Sequence, residues 1–205
     1  MIGGGCYNGL VAIWDVKRHS SQPAMISPVE KSHSDPITHL AWLSMKTGTE
    51  LITSSTDGRV LWWDTRQFSK GPIDTLLLTE TVDGKERIVG GSVLEFNAEA
   101  GSNKFLVGTE QGIILTANKK PKKNVEISAR YGLELGRHLG PIYALNRSIP
   151  NQRYFLSVGD WSAKIWFDEL KSPIIRTRYH GAYLTDGCFS PTRPGVFFLT
   201  RKVFI

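Results

Sequence analysis

Apolar runs of four to seven residues, punctuated by Gly, Pro, Asp and Ser, fill most of this chain. The clearest stretch has four of them. Ile37 to Leu43 follows the turn Ser34-Asp35-Pro36, and Glu50 to Ser54 follows Thr47-Gly48. Arg59 to Trp63 follows Asp57-Gly58, a strong hairpin signal, and Ile73 to Leu78 follows Gly71-Pro72. Runs this short and this closely punctuated predict strands and leave no room for a helix of ordinary length. In a strand, Val60 and Trp62 point to one face and Leu61 and Trp63 to the other. Both faces are apolar, so the strand is expected to be covered on both sides.

The pattern repeats. Ser55-Thr56-Asp57-Gly58-Arg59-Val60-Leu61-Trp62-Trp63, closed by Asp64, has an earlier copy in Asn8 to Asp15 and a later one in Asp160 to Phe167. A weaker copy runs from Gln111 to Asn118. Aligned on Trp63, the steps are 49 residues back to Trp14, 54 forward to Ala117 and 49 more to Trp166. A turn, a short apolar strand and a terminal Trp-Asp at this period predict the blades of a β-propeller, each blade a four-stranded sheet packed between its neighbours. The expected fold is all-β, an incomplete propeller of three whole blades and two partial ones. The blades fall at approximately 1–28 (partial), 29–78, 90–135, 136–179 and 180–205 (partial), with a polar insertion at 79–89. A first blade ends with Ile2 to Cys6 and Leu10 to Trp14. The third has Gly90 to Phe96, Lys104 to Gly108, Gly112 to Thr116 and Ile127 to Leu135. The fourth has Ile142 to Leu145, Tyr154 to Val158, Ala163 to Phe167 and Ile174 to Arg178, and a fifth begins with Ala182 to Phe189 and Val196 to Thr200. Seven blades of ~40–45 residues need roughly 300 residues. The 205 present are therefore read as a fragment with exposed strand edges, expected to fold poorly without the remaining blades.

Bulk composition changes this picture little. The net charge of +6 favours acidic partners in a general way. Cys6 and Cys188 give neither a disulfide framework nor metal-ligand spacing, and each is expected in the core. Met1 to Leu10 lacks the basic and apolar regions of a signal peptide, and no run of 18 apolar residues predicts a spanning helix, so no membrane partner is expected.

Each clear repeat carries a polar set. In the second blade it is His33, Ser54 or Ser55, Asp57 and Trp63; in the fourth it is His138, Ser157, Asp160 and Trp166. His, Ser and Asp together could mean nucleophilic catalysis. Recurrence in successive blades favours a structural role, in which an imidazole held between carboxylate, hydroxyl and indole N–H satisfies buried polar groups. The third blade lacks the set, with Gln111 in place of Asp57 and Ala117 in place of Trp63. No phosphate loop, metal motif or nucleophile elbow occurs, so no enzyme activity, catalytic residue, metal or cofactor is expected. Lys119, Lys120, Lys122 and Lys123 form a basic run, read as a solvated hairpin loop or a contact for an acidic tail. It has no interleaved aromatics, so no specific nucleic acid partner is expected. Trp63-Asp64-Thr65-Arg66 has the Trp-Asp-x-Arg ending found in substrate receptors of cullin ubiquitin ligases.

Beyond the generic repeat, several strings resemble dynein intermediate chains of the axonemal outer-arm type. They are Gly4-Gly5-Cys6-Tyr7-Asn8-Gly9, Lys46-Thr47-Gly48-Thr49-Glu50, Val107-Gly108-Thr109-Glu110-Gln111-Gly112, Gly140-Pro141-Ile142-Tyr143-Ala144-Leu145, and Val158-Gly159-Asp160-Trp161 with Lys164-Ile165-Trp166. Tyr179-His180, Ala182 to Asp186 and Ser190-Pro191-Thr192-Arg193-Pro194 extend the match, which covers residues 2 to 201. Lys202 to Ile205 depart from it, which supports truncation there.

The resemblance implies a WD-repeat propeller and a non-catalytic scaffold subunit. It implies binding to a dynein heavy chain beside a second intermediate chain, in a motor complex on microtubules, located in the cytoplasm and the ciliary or flagellar axoneme. The family's light-chain-binding segment lies N-terminal to its propeller, which leaves light-chain contact doubtful for this stretch. The heavy-chain tail is expected across a face built from the loops at Ser34-Asp35-Pro36, Asp57-Gly58, Leu139-Gly140-Pro141 and Asp160-Trp161. Asp35 and the lysine run belong to the expected partner surface. Trp161, in the place of Gly58 and expected to face solvent, is its predicted anchor. The alternative is an adaptor propeller of another kind, a cullin-ligase receptor or a chromatin binder.

Overall fold

The computed structural model describes residues 1–43, 48–96, 103–119 and 125–202. The chain divides into two compact units, Met1–Gly91 and Ser92–Ile205. In the first, β1 (Ile2–Gly5), β2 (Val11–Trp14) and β3 (Met25–Ile26) make one antiparallel sheet; β4 (Ile37–Trp42), β5 (Glu50–Ser55), β6 (Arg59–Asp64) and β7 (Asp74–Leu77) make the next. β8 (Thr79–Val82) and β9 (Lys85–Ile88) form a separate hairpin. In the second unit, β10 (Gly91–Phe96), β11 (Lys104–Thr109), β12 (Ile114–Asn118) and β13 (Glu126–Tyr131) form one four-stranded meander. β14 (Ile142–Arg147), β15 (Tyr154–Gly159), β16 (Ser162–Phe167) and β17 (Ile175–Arg176) form another, and β18 (Leu184–Phe189) pairs with β19 (Phe197–Arg201). The architecture is all-β, with sequential antiparallel four-stranded blades of the WD40 type.

The inner strands of the four-stranded sheets are apolar and buried on both faces. Val60, Leu61, Trp62 and Trp63 are all fully buried. In the first unit Val11 and Ile13 pack with Leu51, Leu61, Trp63 and Phe68. In the second, Leu106, Ile114, Tyr131, Ile142, Leu145, Phe155 and Trp166 form one core; Leu156, Val158, Ala163, Leu184 and Phe189 form another. The Asp of the Trp-Asp pair ends its strand by capping a 3-10 turn. Asp64 accepts from Arg66 N, and Asp15 accepts from Lys17 N.

Turn glycines fix how one blade meets the next. Gly112, at φ +80°, accepts at its carbonyl oxygen from His138 N at 3.0 Å, and a Cβ there would lie 2.1 Å from His138 O. Gly9, also at φ +80°, is seated in the same way against His33 O. Only a residue without a side chain fits a left-handed backbone pressed on a carbonyl.

Four expectations change. A third strand, β3, follows β2; only two of its residues pair, too few for a sequence period to register. The polar stretch 79–89 is a hairpin turning at Asp83 (φ 51°) and Gly84 (φ 74°). The strand sought at Ile127 to Leu135 ends at Tyr131, because Gly132 takes φ +81°. Cys188 is exposed, since strand alternation turns it away from its buried neighbour Phe189, and Cys6 is half-buried.

Gly112→Ala is expected to destabilise the second unit by roughly 2 kcal/mol or more, from left-handed strain of ~1–2 kcal/mol plus the carbonyl overlap. Gly140→Ala, whose Cβ meets nothing within 4 Å, is expected to be neutral. Chemical denaturation of the two variants checks this.

Candidate functional site

Two polar locks sit inside the blades. In the second blade His33 Nδ1 lies 3.2 and 3.1 Å from the two Asp57 oxygens, and His33 Nε2 lies 2.9 Å from Thr53 Oγ1. Trp63 Nε1 donates to the same hydroxyl at 2.9 Å. A neutral imidazole with its proton on Nδ1 satisfies every group. The indole donates to Thr53, Thr53 donates to Nε2, and Nδ1 donates to the carboxylate. Asp57 also accepts from Ser34 N and Arg59 N, and the Arg59 guanidinium bonds Asp57, Ser32 O and Ser34 Oγ. Burial alone would raise the Asp57 carboxyl; the bonds from His33, Ser34 and Arg59 outweigh it and hold the carboxyl well below the usual range.

The fourth blade repeats the arrangement. His138 Nε2 lies 2.8 Å from Ser157 Oγ, and Trp166 Nε1 donates to that oxygen at 2.8 Å. His138 Nδ1 stands 3.3 Å from Asp160 Oδ2, longer and less well aligned than the His33–Asp57 contact. Asp160 accepts from Leu139 N, Ser162 N and Ser162 Oγ. Burial again opposes ionisation and the hydrogen bonds prevail, so Asp160 stays depressed. Burial pushes His138 down, towards the neutral form.

The hydroxyl of the second lock is therefore Thr53, not Ser54. Counting three residues back from Asp57, as from Asp160 to Ser157, lands on the wrong residue because the two turns differ in length. Ser54 pairs with Val60, whereas Val158 pairs with Ala163, one residue closer. Ser54 points to the other face, where its Oγ occupies the space a Cβ on Gly91 would need. Ser55 Oγ donates to Asp35 O. Thr53 and Ser157 are completely buried, so neither hydroxyl is open to a substrate.

The shorter turn also moves the left-handed residue. Asp160 takes φ 49°, whereas in the second blade Gly58 takes φ 79°. Trp161 is half-buried rather than free in solvent, its ring 4.5 Å from Tyr183 at 31°. Together with Leu139, Tyr143, Thr185 and Lys202 it lines an open groove of about 600 Å³. Asp35 is exposed, in the first unit. Lys119 is half-buried and its N–H donates to Asn103 O; Lys120, Lys122 and Lys123 lie outside the described residues. Arg66 closes on Asp64 through three hydrogen bonds at 2.7–3.1 Å.

Sequence reasoning missed Lys164, which stands where the second blade has Leu61. It is buried, and its Nζ donates to Gly136 O at 3.0 Å and Arg137 O at 2.9 Å. Burial pulls its pKa down to about 8, against the opposing pull of Asp160. The signal was present: a lysine in a run otherwise apolar at that step of the repeat. Among the described residues no cluster of His, Cys, Asp and Glu could hold a metal, and no helix is long and apolar enough to cross a membrane.

Thr53→Val is expected to lower stability by about 1–3 kcal/mol, because Trp63 Nε1 and His33 Nε2 lose their shared partner; Ser54→Ala is expected to stay within about 0.5 kcal/mol. Urea denaturation of both checks it. Lys164 makes a pH prediction. Its folded pKa lies below the ordinary lysine value, so from about pH 8 to about pH 10 the unfolded chain binds more protons than the folded one. Its contribution to stability therefore rises with pH across that window. Lys164→Met is expected to flatten that rise, measured as denaturation midpoint against pH.

Comparison with known proteins bears on the whole chain. The family described as "Dynein axonemal intermediate chain 3 WD40 domain" matches residues 92–203, and the WD domain, G-beta repeat, matches residues 27–64. The chain is 46% identical over 203 residues to "Dynein, 70 kDa intermediate chain, flagellar outer arm" of Chlamydomonas reinhardtii, covering 98% of this chain and 35% of that protein. It is 47% identical over 201 residues to "Dynein intermediate chain 3, ciliary" of Heliocidaris crassispina, covering 97% and 32%. It is 46% identical over 200 residues to "Dynein axonemal intermediate chain 2" of Homo sapiens, again 97% and 32%. The chain thus spans about one third of the length of these relatives. Identity at this level across both units places it: the chain belongs to the WD-repeat family of axonemal dynein intermediate chains.

Proposed function

We propose that this chain is a non-catalytic scaffold segment of an outer-arm dynein intermediate chain, which binds a dynein heavy chain beside a second intermediate chain. In this reading it supports assembly of the arm on axonemal microtubules, and so ciliary movement, and is found in the cytoplasm and the axoneme. The carrying observation is the 46–47% identity over 97–98% of the chain to intermediate chains of flagellar outer arms and cilia. The absence of catalysis is supported by the locks, whose hydroxyls are buried and whose His and Asp groups serve the fold. In the second unit, the loops at Leu139-Gly140-Pro141 and Asp160-Trp161 supply an exposed surface with aromatic character, suited to a protein partner. In the first unit, Asp35 is exposed. The reading as a cullin receptor has no favouring observation, since Arg66 is folded onto Asp64.

Epitope-tagged chain immunoprecipitated from ciliated cells is expected to bring down axonemal dynein heavy chains, identified by mass spectrometry. Recovery of a cullin adaptor or histones without any heavy chain would overturn the proposal.

A further inference from the structure

The second strand position of each blade's first strand follows a rule. Thr38 Oγ1 donates to Gly91 O at 2.8 Å, and Ser92 Oγ donates to Ile142 O at 2.7 Å. In each case a small hydroxyl donates to the first residue of a later leading strand. Thr185 holds the corresponding place in β18. In β14 the place is taken by Tyr143, and the rule breaks. A bulge leaves this place out of the ladder in β14, between Ile142 and Ala144, as it does in β4, between Ile37 and His39; what differs is the side chain, and Tyr143 is 49% exposed. Bulges re-aim side chains in this way. A further bulge between Leu184 and Asp186 leaves Thr185 out of its ladder, and Thr185 lines the same groove.

The groove's chemistry is one-sided. Its apolar part is Leu139, 75% exposed, with Tyr143 and the Trp161–Tyr183 ring pair. Among the described residues its one lining carboxylate, Asp160, is 1% exposed and already accepts from Leu139 and Ser162. Exposed Lys202 stands at the rim. The surrounding unit, residues 92–205, holds 16 of the chain's 25 Lys and Arg residues but nine of its 19 Asp and Glu. An aromatic trough without an available negative charge, in the basic unit of the chain, complements an acidic extended segment carrying an apolar side chain.

We propose that the groove between Tyr143 and the Trp161–Tyr183 pair docks an acidic, extended segment of a protein partner, with one apolar side chain against the rings and carboxylates towards Lys202. This rests on the reading of the chain as a scaffold and adds the chemistry of what its second unit binds. The probe is a fluorescein-labelled peptide of Glu and Asp residues around a central Leu-Pro, compared with the same peptide flanked by Lys. Binding to the full 205-residue chain is followed by fluorescence polarisation. The acidic peptide is expected to bind, more weakly at higher ionic strength, and the basic one not to bind. Tyr143→Thr restores the residue type of the other blades and is expected to preserve the fold, checked by circular dichroism. It should weaken binding at least tenfold, about the effect of losing an interface anchor. Lys202→Glu should weaken it roughly tenfold by charge reversal. Lys17→Glu, exposed in the first unit, should leave it unchanged. Equal binding of both peptides, or binding unchanged in both groove variants, overturns the inference. If heavy chains are still captured from ciliated cells in that case, the scaffold reading stands and only the groove's role falls.

Discussion

A thin sheet buried on both faces has nowhere to put a polar group except against another polar group, and the rest of this structure follows from that constraint. The Trp63 indole and the His33 imidazole are both inside, where an unpartnered N–H costs about 1–3 kcal/mol. One threonine hydroxyl, Thr53, serves both, and Asp57 serves the far side of the ring. The same carboxylate then holds the turn backbone through Ser34 and Arg59. Satisfying the core and fixing the turn are therefore one arrangement, and the turn in turn sets where the loops of each blade's edge are presented.

The blade without the lock is held by different means. With Ala117 in place of the tryptophan, the blade's own Tyr131, on β13, packs against the neighbouring blade, meeting Phe155 and Trp166 edge-on at 5.3 and 6.1 Å. The Tyr131 hydroxyl donates to Asp168 O at 2.8 Å. Asp168 pairs with Lys104 of β11 at 3.3 Å and with the buried Arg147 of β14 at 3.1 Å. Arg147 N in turn donates to Glu95 of β10 at 2.7 Å. An intra-blade lock has been exchanged for a polar network shared between two blades. Such a network gives stability only while all its members are present, so the third and fourth blades are coupled more strongly than their repeat pattern alone would suggest.

The repeat was legible in the sequence because period, turn residues and apolar strands all agree, and agreement across levels is what makes a fold readable. Details that depend on register were not. Ser54 and Thr53 are adjacent and both bear hydroxyls; which faces the histidine depends on one extra residue in the turn, visible only once pairing is known. Trp161 reads as a solvent-facing substitute for glycine, yet it leans on Tyr183, a neighbour that only the packing of consecutive blades supplies. The 79–89 hairpin is exposed along β9 and so carries no apolar period to read. Cys188 next to Phe189 suggests a core, but alternation sends the two to opposite faces.

Departures from the repeat separate into two kinds, and burial decides between them. Lys164 departs inside: it takes a leucine's place, and its ammonium group is absorbed by two carbonyls of the segment that leads into its own blade. That substitution has a structural partner and needs no other. Tyr143 departs outside: it gives up a stitching hydroxyl bond that Thr38 and Ser92 make, and the ring it gains is half in solvent. Nothing in its own blade is satisfied by the change. An exposed ring at such a position adds to an apolar surface patch, and in this unit it lines the groove with Trp161 and Tyr183.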